Sequence, residues 1–243
     1  MIKTRIYHPG KLQLDSELKL ESQAAIHISK VLRMKAGQKI RLFNGDGCEY
    51  VAEITTSDRH RVTVKLLNKS IINRESPLSI HLGQALSKGE KMDFTIQKAV
   101  ELGVTSITPL ITNRSNVQLK ADRIEKRTQH WQGVIISACE QCGRNQIPAL
   151  NAPVKLHGWL EQIPEEALKL TLHPDSNQSL DGITMQSERI DLLIGPEGGL
   201  DLDELSIAEE NGFKQIQLGP RVLRTESAAL TILSIIQHKW GDL

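Results

Sequence analysis

The chain of 243 residues is poor in cysteine, in long apolar runs and in the glycine signatures of nucleotide-handling enzymes. Cysteine occurs three times, as Cys48, Cys139 and Cys142. So low and odd a count gives no disulfide framework and fits a reducing, cytoplasmic compartment. Cys139-x-x-Cys142 has no second pair with which to complete a tetrahedral metal site. A redox pair should open a helix, where the helix dipole activates the thiol. This pair closes one, so both cysteines are read as incidental. The eight histidines show no metal-ligand spacing, and no metal is expected. No apolar run approaches the roughly 18 residues of a membrane span, so no membrane partner is expected. The N-terminal MIKTRIYHPG lacks an apolar signal core, so no secretory signal is expected either. Neither G-x-x-x-x-G-K-[ST] nor G-x-G-x-x-G occurs, which argues against nucleotide hydrolysis and dinucleotide redox chemistry.

What is present is an ordinary globular composition with a hidden charge asymmetry. The net charge is +1. Residues 1–70 hold 13 Lys/Arg against 7 Asp/Glu, a balance of +6, while the other 173 hold 17 against 22, a balance of −5. A basic N-terminal part beside an acidic remainder suggests contact with a polyanion, nucleic acid first among them. A solvated surface is the alternative reading.

The N-terminal part reads as β-rich. Lys39–Phe43 predicts a strand, Asn44-Gly45-Asp46-Gly47 a hairpin turn, and alternation at Tyr50, Ala52 and Ile54, then at Val62, Val64 and Leu66, two further strands. That count of short strands suggests a small barrel. Ala24 to Met34 reads as a helix carrying Lys30 and Arg33, with Lys35 just beyond. Arg41, Arg59, Arg61 and Lys65 add positive charge. Residues 71–77, IINRESP, read as a linker.

From Leu78 the pattern becomes alternating strands and helices. Strands are predicted at Leu78–Leu82, Ser106–Ile111, Leu168–Leu172, Leu192–Ile194 and Ile216–Leu218. Helices are predicted over Met92–Val100, over Ile124–Cys142 and from about Glu226 to Trp240. Such alternation implies an α/β fold with a mostly parallel sheet covered by helices on both faces.

Two loops stand out. IDLLIGPEGGL, residues 190–200, runs from a buried strand into a glycine turn, and Asp201 with Glu204 forms a capping box for the helix that follows. LGPRVLRTES, residues 218–227, repeats the strand–loop–helix arrangement. Open α/β sheets bind ligands at this carboxyl edge of the strands. Polar residues collect there and at helix ends: His173, Glu197, Arg221, Arg224 and Glu226, with Glu140, Gln141 and Arg144. An ordinary β–α loop and surface charge are the bland readings of the same residues.

The blocks HISKVLRMKAGQ, HLGQALSKGEKMDFTIQKAVELGV, ACEQCGRNQIP, LLIGPEGGL and LGPRVLRTES, in this order, closely resemble the bacterial 16S ribosomal RNA uracil-N3 methyltransferases of the SPOUT superfamily. The resemblance covers nearly the whole chain. It implies a PUA-like RNA-binding β-barrel over 1–72 and a trefoil-knotted α/β methyltransferase domain over 73–243. It further implies a homodimer, S-adenosylmethionine as cofactor, and 16S ribosomal RNA, in the small ribosomal subunit, as partner. Carried onto this chain, it makes the cofactor-binding residues Leu172, His173, Ile194, Gly195, Pro196, Glu197, Gly198, Gly199, Leu218, Gly219, Val222, Leu223, Arg224, Thr225 and Ala228. The catalytic candidates are Glu140 or Glu226 for proton removal and Arg144 or Arg224 for charge stabilisation. RNA contacts are expected from Arg5, Lys30, Arg33, Lys35, Lys88 and Arg114. Two positions depart from the family pattern: Ser227 stands where threonine is common, and Asn113 where an acid often precedes the arginine. An RNA-binding module without catalysis, a methyltransferase with another RNA target, and a metabolic α/β enzyme are the rival readings.

Overall fold

Five strands make the first sheet: β1 (Arg5–Tyr7), β2 (Glu17–Lys19), β3 (Lys39–Phe43), β4 (Cys48–Asp58) and β5 (Arg61–Ile71). Their order is β1-β3-β4-β5-β2, with β1 parallel to β3 and the other neighbours antiparallel. The computed structural model describes residues 2–58, 61–115 and 121–243, of which 121 and 122 are described by backbone alone. Arg59 lies outside the described residues. Alternating residues of β3, β4 and β5, among them Ile40, Leu42, Ala52, Ile54, Val62 and Val64, bury one face with Ile6, Leu20 and Ile28, as a strand period of two requires.

The predicted helix over 24–34 is shorter and irregular. Helix α1 spans Ser22–Ile26, and a π-turn follows over His27–Val31. Leu32 N–H bonds to His27 O at 2.9 Å, five residues back. Ser29 Oγ donates to Ala25 O at 2.7 Å, a local bond that competes with the regular ladder. The turn ends at Arg33 with φ 52°.

Contacts divide the chain into two units, Met1–Glu75 with Cys139–Ile147, and Ser76–Ala138 with Pro148–Leu243. Within the first unit, Arg5 uses all five of its N–H groups. Nε donates to Glu49, Nη1 to the carbonyls of Cys139 and Glu140, and Nη2 to Arg144 O and Asn145 Oδ1. Glu49, almost fully buried, also faces Arg41 and Arg74.

The second unit holds seven parallel strands: β6 (Ser79–Ala85), β7 (Ser106–Ile111), β8 (Ala149–Leu150), β9 (Val154–Lys155), β10 (Leu168–Leu172), β11 (Arg189–Ile194) and β12 (Lys214–Ile216). The order is β12-β10-β11-β6-β7-β8, and β9 also pairs with β7. Helices α2 (Glu90–Glu101), α4 (Leu156–Leu160), α5 (Leu202–Glu210) and α6 (Thr225–Trp240) complete it, with α3 (Ala121–Cys142) as far as Ala138, the last four residues of that helix belonging to the first unit. Leu156, Trp159 and Leu160 of α4 and Leu205 and Ala208 of α5 pack with Leu110 and Leu193 of the sheet. Helices α2 and α6 pack on each other, and α6 touches β11. No described helix is long and apolar enough to cross a membrane.

The last strand ends earlier than expected. β12 ends at Ile216, not Leu218, because Gln217 N–H leaves the ladder to bond Gln178 O at 2.8 Å. Gln217 and Leu218 therefore already belong to the loop.

Candidate cofactor cleft

Strands β12, β10 and β11 are adjacent and parallel, so their carboxyl ends deliver three loops to one edge of the sheet. Each connection here reverses the direction of strand order, and crevices at such a point are where α/β sheets hold ligands. A cleft of about 610 Å³ opens there. Every cofactor-binding residue expected from the sequence lines it: Leu172 and His173 at the end of β10, Ile194 to Gly199 from the end of β11, and Leu218, Gly219, Val222, Leu223, Arg224, Thr225 and Ala228 after β12.

The glycine loop is held from several sides. Gly199 has φ 70°, a left-handed conformation that disfavours side chains, and its N–H bonds back to Pro196 O at 2.9 Å. A Cβ on Gly195 would lie 3.2 Å from both Leu200 Cγ and Leu200 N, so the loop closes tightly on itself. The expected capping box is formed: the Asp201 carboxylate accepts from Glu204 N–H, and Glu204 Oε2 accepts from Asp201 N–H. The loop after β7 is tied in as well. Asn113 donates its N–H to Glu204 Oε1 and its side-chain amide to Asp201 Oδ2, both at 2.7 Å. An acid at 113 would set its carboxylate against that of Asp201, so the amide suits this chain. Arg114 Nη1 donates to Gly198 O at 3.1 Å, and Arg114 lines the cleft.

Helix α6 begins against the same loop. Thr225 Oγ1 donates to Gly195 O at 2.7 Å and accepts from the Gln84 amide at 3.1 Å. Glu226 follows in the first turn, where the helix dipole favours a negative charge. His173 Nδ1 accepts from Asp175 N–H at 3.3 Å, which leaves its ring oriented at the cleft wall.

Of the four catalytic candidates Arg224 lines the cleft, whereas Glu226, Glu140 and Arg144 do not. Glu140 Oε1 accepts from Tyr7 N–H at 2.9 Å, and burial raises its carboxyl above the usual range. Arg144, buried, donates from Nε and Nη2 to Glu75 Oε2. Arg5, expected among the RNA contacts, is committed inside the first unit, as described above. Lys30, Arg33, Lys35 and Lys88 are exposed. Cys139 is buried, and burial pushes its thiol up to about 12, so it stays protonated and inert. No group of three or more His, Cys, Asp or Glu that could hold a metal ion is present among the described residues.

Sequence reading did not single out Lys91, Leu200, Leu205 or Gln217, which also line the cleft. The signal for Lys91 was its place just after β6, the strand beside β11. Leu205 looked like ordinary helix core, and Leu200 closed the glycine-loop stretch without being named among the cofactor residues.

Residues 74–237 match the RNA methyltransferase domain family, and residues 20–67 match the RNA methyltransferase PUA domain family. The chain is 40 % identical to ribosomal RNA small subunit methyltransferase E of Buchnera aphidicola subsp. Schizaphis graminum, across 98 % of this chain and 97 % of the relative. Its fold is similar to that of a Legionella pneumophila protein described as a methyltransferase and solved with bound SAM, at TM-score 0.97 and 45 % identity, covering 100 % of both chains. It is also similar to the ribosomal RNA small subunit methyltransferase E of Neisseria gonorrhoeae bound to S-adenosyl methionine, at TM-score 0.92 and 38 % identity, covering 99 % of both.

Proposed function

Because the chain belongs to the RNA methyltransferase family, we propose that it transfers a methyl group from S-adenosylmethionine to N3 of a uridine in 16S ribosomal RNA. The observation that carries this reading is the three-loop cleft on adjacent parallel strands, which gathers all the residues expected to hold the cofactor. The substrate is the assembled small subunit, the compartment is the cytoplasm, and the active species is a homodimer with a SPOUT trefoil knot. Residues 1–72 form the RNA-gripping domain and residues 73–243 the methyltransferase domain.

The cleft fits the cofactor. Its volume lies in the roughly 300–1,000 Å³ range of small-molecule sites. Ile194, Leu200, Leu218 and Leu223 give apolar walls for an adenine ring. The backbone of Gly195 to Gly199 and of Gly219 lines the cleft and would offer N–H and C=O groups to the ribose and amino-acid ends. When bound, the group supplies an activated methyl: the N3 electron pair forms the new bond to carbon, and the C–S pair stays on sulfur.

This chain must then position uracil and take its imino proton. The nitrogen lies on the Watson–Crick edge, so the target is unpaired or flipped. Glu226 is the better placed of the two carboxylates, since Arg224 and Thr225 beside it line the cleft. Arg224, exposed, is available to the uracil oxygens. Glu140 and Arg144 keep the same roles as alternates. Basic residues 30–35 grip phosphates and set register.

The test is methyl transfer from labelled S-adenosylmethionine to undermodified small subunits and to naked 16S RNA, followed by nucleoside mass spectrometry. A 3-methyluridine product, with subunits preferred, is expected. A different methylated nucleoside overturns the target. Absence of cofactor binding overturns the enzyme reading and favours a binding module.

A further inference from the structure

Among the described residues, three buried side-chain polar atoms have no hydrogen-bond partner: Gln84 Oε1, Ser87 Oγ and Glu226 Oε2. Buried polar atoms are normally paired, so each orphan calls for a reason. All three lie on segments that meet. The Gln84 amide donates to Thr225 Oγ1, and Lys91 Nζ lies 3.9 Å from Glu226 Oε1. The connection from β6 to α2, which carries Ser87, is thus tied at both ends to the first turn of α6.

Lys91 sits in the first turn of α2 and lines the cleft. Its ammonium also lies 3.4 Å from Glu197 Oε1 on the glycine loop. One cation therefore stands between two carboxylates from different loops. With side chains 36 % (Lys91), 27 % (Glu197) and 15 % (Glu226) exposed, such pairs add little to stability. Their effect is on geometry. The ammonium engages Oε1 of Glu226 and leaves Oε2 without a partner, and it screens Glu197 from Glu226.

We propose that Lys91 is a positioning residue for methyl transfer: it reaches from the cleft wall to the Glu226 carboxylate, holds that carboxylate as the proton acceptor and ties it to the glycine loop. The inference rests on the reading of Glu226 as the base. In the step, the imino proton passes from uracil N3 to the Glu226 carboxylate. The pair left on N3 then bonds the methyl carbon.

The experiment compares full-length wild type, K91M, K91R, E226Q and K91M/E226Q on undermodified small subunits. It measures kcat and KM, calorimetric affinity for S-adenosylmethionine, and thermal unfolding. E226Q should lose kcat by about a hundredfold and K91M by about tenfold, as for a base and the group that aims it. Cofactor affinity of K91M should stay within about twofold, K91R should recover most of kcat, and the double variant should be no slower than E226Q. If K91M melts early, K91Q, closer in polarity, takes its place. Wild-type kcat in E226Q removes the base reading and this inference with it. Slow E226Q with fast K91M overturns the inference alone. So does a double variant slower than E226Q by the full K91M factor, or a K91M defect confined to cofactor affinity.

Discussion

The Thr225 hydroxyl donates to the Gly195 carbonyl at 2.7 Å, across 30 residues of sequence, and so locks the start of α6 onto the glycine loop. The same oxygen accepts from buried Gln84. Thr225→Val keeps the shape and removes both bonds. It should cost about 1–3 kcal/mol, the penalty for leaving buried polar groups unpaired. Denaturant unfolding should show that loss, and calorimetry a weaker affinity for S-adenosylmethionine. Thr225→Ser should behave as wild type. Equal stability for the valine variant would show that the lock is not needed.

Two glycines in one loop should respond differently. A methyl on Gly195 meets Leu200 Cγ and backbone N at 3.2 Å, and backbone yields poorly. A methyl on Gly198 meets Arg114 Cβ at 3.5 Å, ordinary contact. Gly195→Ala should therefore lower both the melting temperature and cofactor affinity. Gly198→Ala should leave the fold intact, and only a bulky residue there should block the cofactor by filling the cleft. Equal melting losses for the two alanine variants would refute the distinction.

Acid should probe two carboxyls of opposite sign. Burial alone would raise Asp191, but hydrogen bonds from His81 and Arg189 outweigh it and hold the carboxyl below its usual range. A depressed folded value means stability that is present at neutral pH and lost as pH falls through it, below about 4. Asp191→Asn should be less stable at pH 7 and flatter in acid. Glu140 is raised by burial, so its contribution is present in acid and lost as pH rises through the folded value. Glu140→Gln keeps an acceptor for Tyr7 N–H and should be at least as stable as wild type at pH 7. Urea midpoints from pH 3 to 8 would reveal either sign reversed.

The exposed residues Arg33 and Lys35 should act through phosphate charge. Reversing both to Glu should weaken RNA binding at low salt and reduce the slope of log K against log salt by about 0.7–0.9 per lost contact. Cofactor affinity should not move. A slope equal to wild type in filter binding would remove these residues from the interface.

Much of this protein was legible as sequence because the signals were local. The period-two burial of β3 to β5, the capping box at Asp201 and Glu204, and the glycine loops at 195–199 and 218–228 depend on residues close in the chain. Short elements were not legible: β1 and β2, at three residues each, carry too few positions to show a period. The π-turn over His27–Val31 was hidden because its apolar spacing resembles that of a regular helix.

Tertiary structure alone decided what the polar residues do. Arg5 and Arg224 are both arginines in polar surroundings, yet one spends every donor on Glu49 and on residues 139–145, while the other is exposed at a cleft. Lys91, read as part of a polar turn, stands between Glu197 and Glu226, which lie more than a hundred residues away. A charge has no periodicity of its own. Its role follows from which groups the packed sheet brings within a few ångströms of it, and only the strand order β12-β10-β11-β6 determines that.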